Sequence, residues 1–260
     1  MIIDCNVHIT SDGKWFGTSI AADTTDLLRQ MDESGIDRAV VIPLPGVITN
    51  EENMKACSSN TDRLIAGYTF NPAEYSSAVE AGQAYAKDVL SLPFSVVKFH
   101  NRFAKYQPDD ERFMEVVRVN NAAKHPHVIM ICGLLTNRFS LKFVDPTAYF
   151  FDLGLTYKNT TFIVAHAAGP YMMQVAETCK DLENVYLDLS FSVTRYRNSG
   201  LEKDMSWICE KLDRKILWGS DFPEVEQKKA LTDLKEITSH LSKEKFANIS
   251  GENIKRILQL

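Results

Sequence analysis

The chain is predicted to fold as an α/β protein, a (β/α)8 TIM barrel, and three observations carry that expectation. Eight short apolar runs alternate with longer amphipathic stretches, as successive β-α units require. Most of the runs are rich in β-branched residues, the pattern of parallel strands buried on both faces. No GxGxxG or GxxxxGK[ST] follows any of them, which removes the usual reason for an open nucleotide-binding sheet.

The predicted strands cover residues 2–7, 39–42, 64–70, 95–99, 127–132, 161–165, 185–189 and 215–218. Helical patterns lie between them. Residues 23–34 carry Leu27, Leu28 and Met31 on one face and stop at Gly35, a residue suited to the left-handed turn that ends a helix. Residues 110–122 carry Phe113, Val116 and Val117, and residues 171–180 follow the helix-entry signal Gly169-Pro170. Residues 228–241 and 251–258 close the chain. A length of 260 residues, 45% of them hydrophobic, fills one such barrel. No Pro/Ser-rich linker or shift in composition interrupts it, so residues 1–260 are expected to form a single domain.

The charge balance excludes some partners. With 29 basic and 34 acidic residues the net charge is -5, and no basic stripe is interleaved with aromatics, so nucleic acid is not expected. Five cysteines without CxxC spacing argue against a disulfide framework and for a reducing compartment. The opening MIIDCNVHI reads as a strand and not as a secretory signal, and no apolar run reaches the roughly 18 residues of a membrane span. A cytoplasmic protein acting on a small molecule, with no membrane partner, is the resulting expectation.

In a barrel, chemistry sits where strands end and βα loops begin. Strict alternation along the first strand places Asp4, Asn6 and His8 on one side, facing the mouth. The fourth strand ends in Lys98 and His100, the sixth in His166, the seventh in Asp188 and Ser190, and the eighth in Asp221. Imidazoles and carboxylates meeting at one rim suit a divalent metal or an acid–base pair. Arg195 and Arg197, two apart in the loop after the seventh strand, suit a clamp on a substrate carboxylate, and Arg138 offers the same after the fifth. Trp15 and Phe16 are candidates for a pocket wall, whereas Tyr68 reads as core.

The segments IIDCNVHI, LLRQMDESGIDRAVVIP, VVKFH, IVAHAAG, NVYLDLS, ILWGSDFP and ENIKRIL run in order along nearly the whole chain. Together they resemble the amidohydrolase-2 branch of the metal-dependent hydrolases, within the amidohydrolase superfamily. That resemblance implies an enzyme that hydrolyses amides, esters or lactones, or decarboxylates aromatic and enoic acids. It also implies His8 as a metal ligand, His166 as the group polarising the substrate, and Asp221 as both ligand and general base.

The chain departs from the pattern at two ligand positions. Asn6 stands where the D-x-H-x-H motif has its first histidine, and Ile131 stands where the fifth strand has another. Cys132 is expected to point away from the mouth, and His125 and His127 lie at the entry end of their strand. Only His8 and Asp221 remain of the usual set, whereas a catalytic zinc generally has three protein ligands plus water. One divalent ion, zinc before others, held by His8, Asp221 and a rearranged third ligand is therefore one option. The missing ligands favour the other, operation without metal.

The expected activity is hydrolysis of a small carboxylated ester, lactone or amide. Asp221 would activate water and His166 polarise the carbonyl, with His100, Arg195, Arg197 and Asn6 on the substrate. A catalytically degenerate barrel that binds a small acid or a partner is the first alternative, and decarboxylation the second. Barrels of this kind often dimerise, which makes a homodimer the expected alternative to a monomer.

Overall fold

The computed structural model describes residues 1–134 and 144–260. Its parallel strands are β1 (Ile3–Val7), β2 (Arg38–Val41), β3 (Leu64–Ala66), β4 (Tyr68–Thr69), β5 (Val96–Phe99), β6 (Val128–Cys132), β7 (Phe162–Ala165), β8 (Val185–Asp188) and β9 (Ile216–Leu217). They pair in chain order, β1 to β3 in one ladder and β4 to β9 in a second. β3 and β4 are two pieces of one barrel strand, parted at Gly67, whose N–H donates to the Val41 carbonyl at 2.8 Å. The ring closes between the last strand and the first. The Cys5 N–H donates to the Trp218 carbonyl at 3.1 Å, the Asp221 N–H to the Asn6 carbonyl at 3.0 Å, and the His8 N–H to the Phe222 carbonyl at 2.8 Å. The result is the expected (β/α)8 barrel, all eight predicted strands being present.

Two apolar layers hold it. Ile3, Cys5, Val40, Ile42, Val96, Val128, Met130, Ile163, Ala165 and Leu217 fill the interior of the ring. The alternate residues, among them Val7, Val41, Val97, Phe99, Ile129, Ile131, Val164 and Leu187, pack outward with helix residues such as Leu27, Met31, Phe113, Val116 and Val117. This two-sided burial is why the strands read as continuous apolar runs.

Local signals fix the helices. Thr24–Ser34 begins at Asp23, whose carboxylate accepts from the Asp26 N–H, and ends at Gly35 with φ +69°. Asn50–Ser58 carries a reciprocal capping box between Thr49 and Glu52. Glu111–Ala122, Met172–Cys179 and Gln227–Ile237 fall on predicted stretches, the last stopping short of residue 241. Ala78–Asp88, Pro146–Thr156 and Gly200–Lys211 complete the outer layer beyond the patterns singled out above. All five cysteines are free and buried. Among the described residues no helix is long and apolar enough to cross a membrane.

The alternation expected for the first strand breaks. Ile3 and Asp4 pair with Arg38 and Ala39, but Val7 pairs with Val41, so β1 carries one residue more than β2 over this stretch. That bulge turns Cys5 into the interior and Asp4 away from the mouth. Arg138 lies outside the described residues.

Candidate active site

The strand ends converge on one buried cluster. His8 Nε2 lies 3.4 Å from Asp221 Oδ1. His8 Nδ1 lies 2.7 Å from the Ile42 carbonyl, and because a carbonyl only accepts, Nδ1 carries the proton. The neutral ring therefore has a single lone pair, on Nε2, and Lys98 Nζ stands 3.3 Å from it. The same Nζ donates to Asn6 Oδ1 at 3.0 Å. The Asn6 amide is thereby oriented: its Nδ2 donates to Ser190 Oγ at 2.8 Å, and to Asp188 Oδ2 and Asp221 Oδ1 at 3.4 Å each. Lys98 is 1% exposed and Asn6 not at all.

His166 joins from β7. Its Nδ1 lies 3.1 Å from the Ser190 carbonyl and so carries a proton too. Both His166 (φ +60°) and Asp221 (φ +67°) hold the left-handed backbone conformation, which costs a non-glycine residue on the order of 1–3 kcal/mol. The surrounding packing imposes it. Gly133, at the end of β6, lets the His166 turn approach so closely that a Cβ there would stand 2.4 Å from the Ala165 carbonyl oxygen.

Asp4 serves this turn chemistry instead of facing the mouth. It accepts from the Ser220 N–H at 2.8 Å, the Ser220 hydroxyl at 2.6 Å and the Gln227 amide at 2.9 Å. It thus pins the segment that presents Asp221. Burial pushes its carboxyl up to about 6, against the opposing pull of these donors.

Electrostatics divide the cluster. Burial opposes charge on Asp221, but His166 and, after it, Lys98 outweigh it and hold its carboxyl well below the usual range. Burial and Lys98 lower the His8 imidazole. Burial works against His166 as well, but the Asp221 charge and Cys132 raise it on balance. His100 is lowered far by burial, Lys98 and Arg102, so it is neutral. Its Nδ1 accepts from the Phe103 N–H at 3.3 Å, which leaves the proton on Nε2.

Cys132 points into the barrel and not away from its mouth. Val128 and Met130 belong to the interior layer and Ile131 to the outer one, so the strand's parity turns Cys132 inward and Ile131 out among the helices. Cys132 meets His166. Burial raises its thiol, but His166, with Arg102 and Lys98 behind it, brings it down to about 7.

A cavity of about 580 Å³ opens over the cluster. His8, His100, His166 and Asp221 line its floor, and Trp15, Phe16, Phe103 and Phe191 give it aromatic walls. Trp15 stacks on His8 with centroids 6.1 Å apart and donates its indole N–H to Glu224 at 2.8 Å. Arg102 and Lys105 also line it, and neither forms an ion pair with a carboxylate among the described residues.

Arg195 and Arg197 do not line the cavity. Arg195 is exposed, and Arg197 is engaged by Glu202, Asp233 and Glu236. The cationic pair at the mouth comes from NRFAK, directly after the fourth strand. Sequence reasoning passed over it, although its place just beyond His100 was a usable signal. Asn6 and Asp188 lie in the buried network below the floor, and Tyr68 packs in the outer core against His127.

The donor set does not fit a divalent ion held in the expected way. Among the described residues no three His, Cys, Asp or Glu side chains gather as metal ligands. The one lone pair of His8 and the amide oxygen of Asn6 both face Lys98. A cation binding here would have to displace an amine already in place.

The family model described as amidohydrolase matches residues 3–260. None of the curated proteins matches the chain in sequence. Among solved structures, an uncharacterised TIM-barrel protein from Bordetella bronchiseptica aligns with a TM-score of 0.79 at 14% identity, covering 99% of this chain and 98% of its own. A probable 2-pyrone-4,6-dicarboxylic acid hydrolase from Acinetobacter baumannii, with citric acid bound, aligns at 0.66 and 13% identity over 100% and 99%. A 5-carboxyvanillate decarboxylase from Novosphingobium aromaticivorans aligns at 0.66 and 13% identity over 100% and 97%; it holds manganese and 3-methoxy-4-hydroxy-5-nitrobenzoic acid. At such identities the likeness speaks for the fold alone.

Proposed function

Since the chain belongs to the amidohydrolase family, we propose that it is an enzyme hydrolysing a small carboxylated ester, lactone or amide without a metal ion. The observation that carries this reading is the opposition of two kinds of group across one cavity. Asp221 and His166 stand on the floor, and Arg102 and Lys105 stand at the wall, with no carboxylate partner among the described residues. A planar guanidinium beside an ammonium grips a substrate carboxylate. The aromatic walls take the body of the substrate and exclude bulk water.

In this scheme the carbonyl to be attacked lies toward His166, whose raised affinity for a proton makes it an imidazolium donor to the developing oxyanion. Water held by Asp221 attacks the carbonyl carbon. Its proton passes to the Asp221 carboxylate and then to the departing oxygen or nitrogen, leaving an acid and an alcohol or amine, joined in one molecule when the substrate is a lactone. A carboxylate held so low is a weak base. Most of the acceleration therefore falls to orientation and to the imidazolium. His100, with Nε2–H free to donate, orients the substrate from the side.

Decarboxylation is the second reading, favoured by the aromatic walls and by the decarboxylase among the structural relatives. A panel of lactones, esters, amides and carboxylated aromatics, assayed with and without a chelator, tests both. Turnover that resists the chelator and falls on the order of 100-fold or more in Asp221→Asn supports an acid–base site. Release of carbon dioxide in place of hydrolysis products selects decarboxylation. A protein that binds these acids and turns over none of them is the degenerate barrel, and the hydrolytic reading fails.

A further inference from the structure

We propose that Lys98 is the resident cation of this barrel: its amine occupies the place that a divalent ion would take between His8 and Asp221, and it keeps such an ion out. The inference stands whichever reaction the cavity supports.

His8 offers a cation one lone pair. His8 Nδ1 is committed to the Ile42 carbonyl at 2.7 Å, so Nε2 is the ring's remaining acceptor. A metal coordinates imidazole through that lone pair. Lys98 Nζ already faces it at 3.3 Å. Nε2 in turn stands 3.4 Å from Asp221 Oδ1, so amine, imidazole and carboxylate form one contiguous buried unit.

Asn6 makes the substitution coherent. An imidazole at position 6 would offer a second ring to a metal, but it would leave the amine without a neutral oxygen acceptor. The amide does two things at once. Its Oδ1 accepts from Lys98 at 3.0 Å, and its Nδ2 faces Ser190, Asp188 and Asp221. A bipolar side chain between a cation and two carboxylates satisfies both sides. Asn6 and Lys98 therefore work as a pair, and Ile131, turned outward, takes no part.

Charge balance points the same way. Asp221 and Asp188 are two carboxylates at the strand ends, and both face the Asn6 amide whose oxygen accepts from the Lys98 amine. A lysine that is 1% exposed needs such partners to be buried. A divalent ion entering beside it would meet like charge at close range and no free imidazole lone pair.

The test is zinc binding, measured by calorimetry and by metal content after dialysis, on chelator-stripped protein with zinc as the only added ligand. The wild type is expected to hold no stoichiometric zinc. Lys98→Ala frees the His8 lone pair and opens space, so its zinc affinity is expected to rise on the order of tenfold or more. That gain should vanish in the double variant Lys98→Ala/His8→Ala. Lys98→Met, which keeps most of the stem's volume and removes the charge, serves as the variant if truncation unfolds the barrel.

Stoichiometric zinc in the wild type, bound through His8, overturns the proposal and needs no variant to do so. So does an unchanged affinity in folded Lys98→Ala and Lys98→Met, or a gain that survives loss of His8. None of these outcomes depends on turnover, so the proposal can fail while the hydrolytic reading stands, and the reverse.

Discussion

The carboxylate of Asp4 accepts from both the N–H and the hydroxyl of Ser220, at 2.8 and 2.6 Å, across 216 residues of chain. One residue beyond Ser220 is Asp221, so a buried acid on the first strand fixes the position of the acid that faces the cavity. A carboxyl raised by burial from 3.8 to about 6 binds its proton more tightly in the folded chain than in the unfolded one.

Stability should record that difference. Between about pH 4 and pH 6 the folded state binds more protons than the unfolded state, so stability falls as pH rises through this window. The full effect is about 3 kcal/mol, and it is present below the unfolded value and lost above the folded one. Urea unfolding of the wild type and Asp4→Asn at a series of pH values checks it. The difference between the two proteins should change with pH in this window. A difference that is flat in pH would remove Asp4 from the account.

His166 predicts the alkaline side of the activity profile. Its imidazolium is needed as a donor, and Asp221 and Cys132 raise its affinity for the proton. The activity kcat/KM should therefore be retained below the raised pKa and decline as pH rises through it. His166→Asn should abolish this alkaline limb along with most of the rate. A variant that keeps the limb would transfer it to another group.

Arg102 and Arg197 should behave differently. Arg102→Ala removes a guanidinium from the cavity wall and should raise KM for carboxylated substrates roughly 10- to 100-fold, with less effect on kcat. Arg197→Ala breaks contacts with Glu202, Asp233 and Glu236, and Asp233 is nearly buried. It should cost about 1–3 kcal/mol of stability and leave KM unchanged. Steady-state kinetics paired with urea unfolding separates the two. A KM effect at Arg197 would restore it to the substrate site.

Gly133→Ala tests the tight approach at the end of β6. The added Cβ meets the Ala165 oxygen at 2.4 Å and the Ala168 nitrogen at 2.8 Å, both backbone atoms that cannot swing aside. A loss of about 1–3 kcal/mol is expected, together with reduced turnover, because the His166 turn must move. Unchanged stability would mean that the backbone of this turn can yield to the added Cβ.

The barrel was legible in the chain because burial on both faces writes itself into every strand as an apolar run. The strand-end residues His8, His100, His166 and Asp221 were legible because a fixed place at the end of a run fixes a place at the mouth, where all four now line one cavity. Side-chain parity was not legible. A bulge in β1 turned Asp4 out, and the parity of β6 turned Cys132 in, because neither register is written in local periodicity.

The eight strands, and which of them carry polar ends, follow from hydrophobic patterning along single elements and so can be read from the chain. Which polar groups meet was set by folding in three dimensions. Folding brought Lys98 to the lone pair of His8, placed Arg102 and Lys105 on the cavity wall, and gave Arg197 to three carboxylates. Those outcomes depend on distances between strands and loops that are remote in the chain, and no local pattern encodes them.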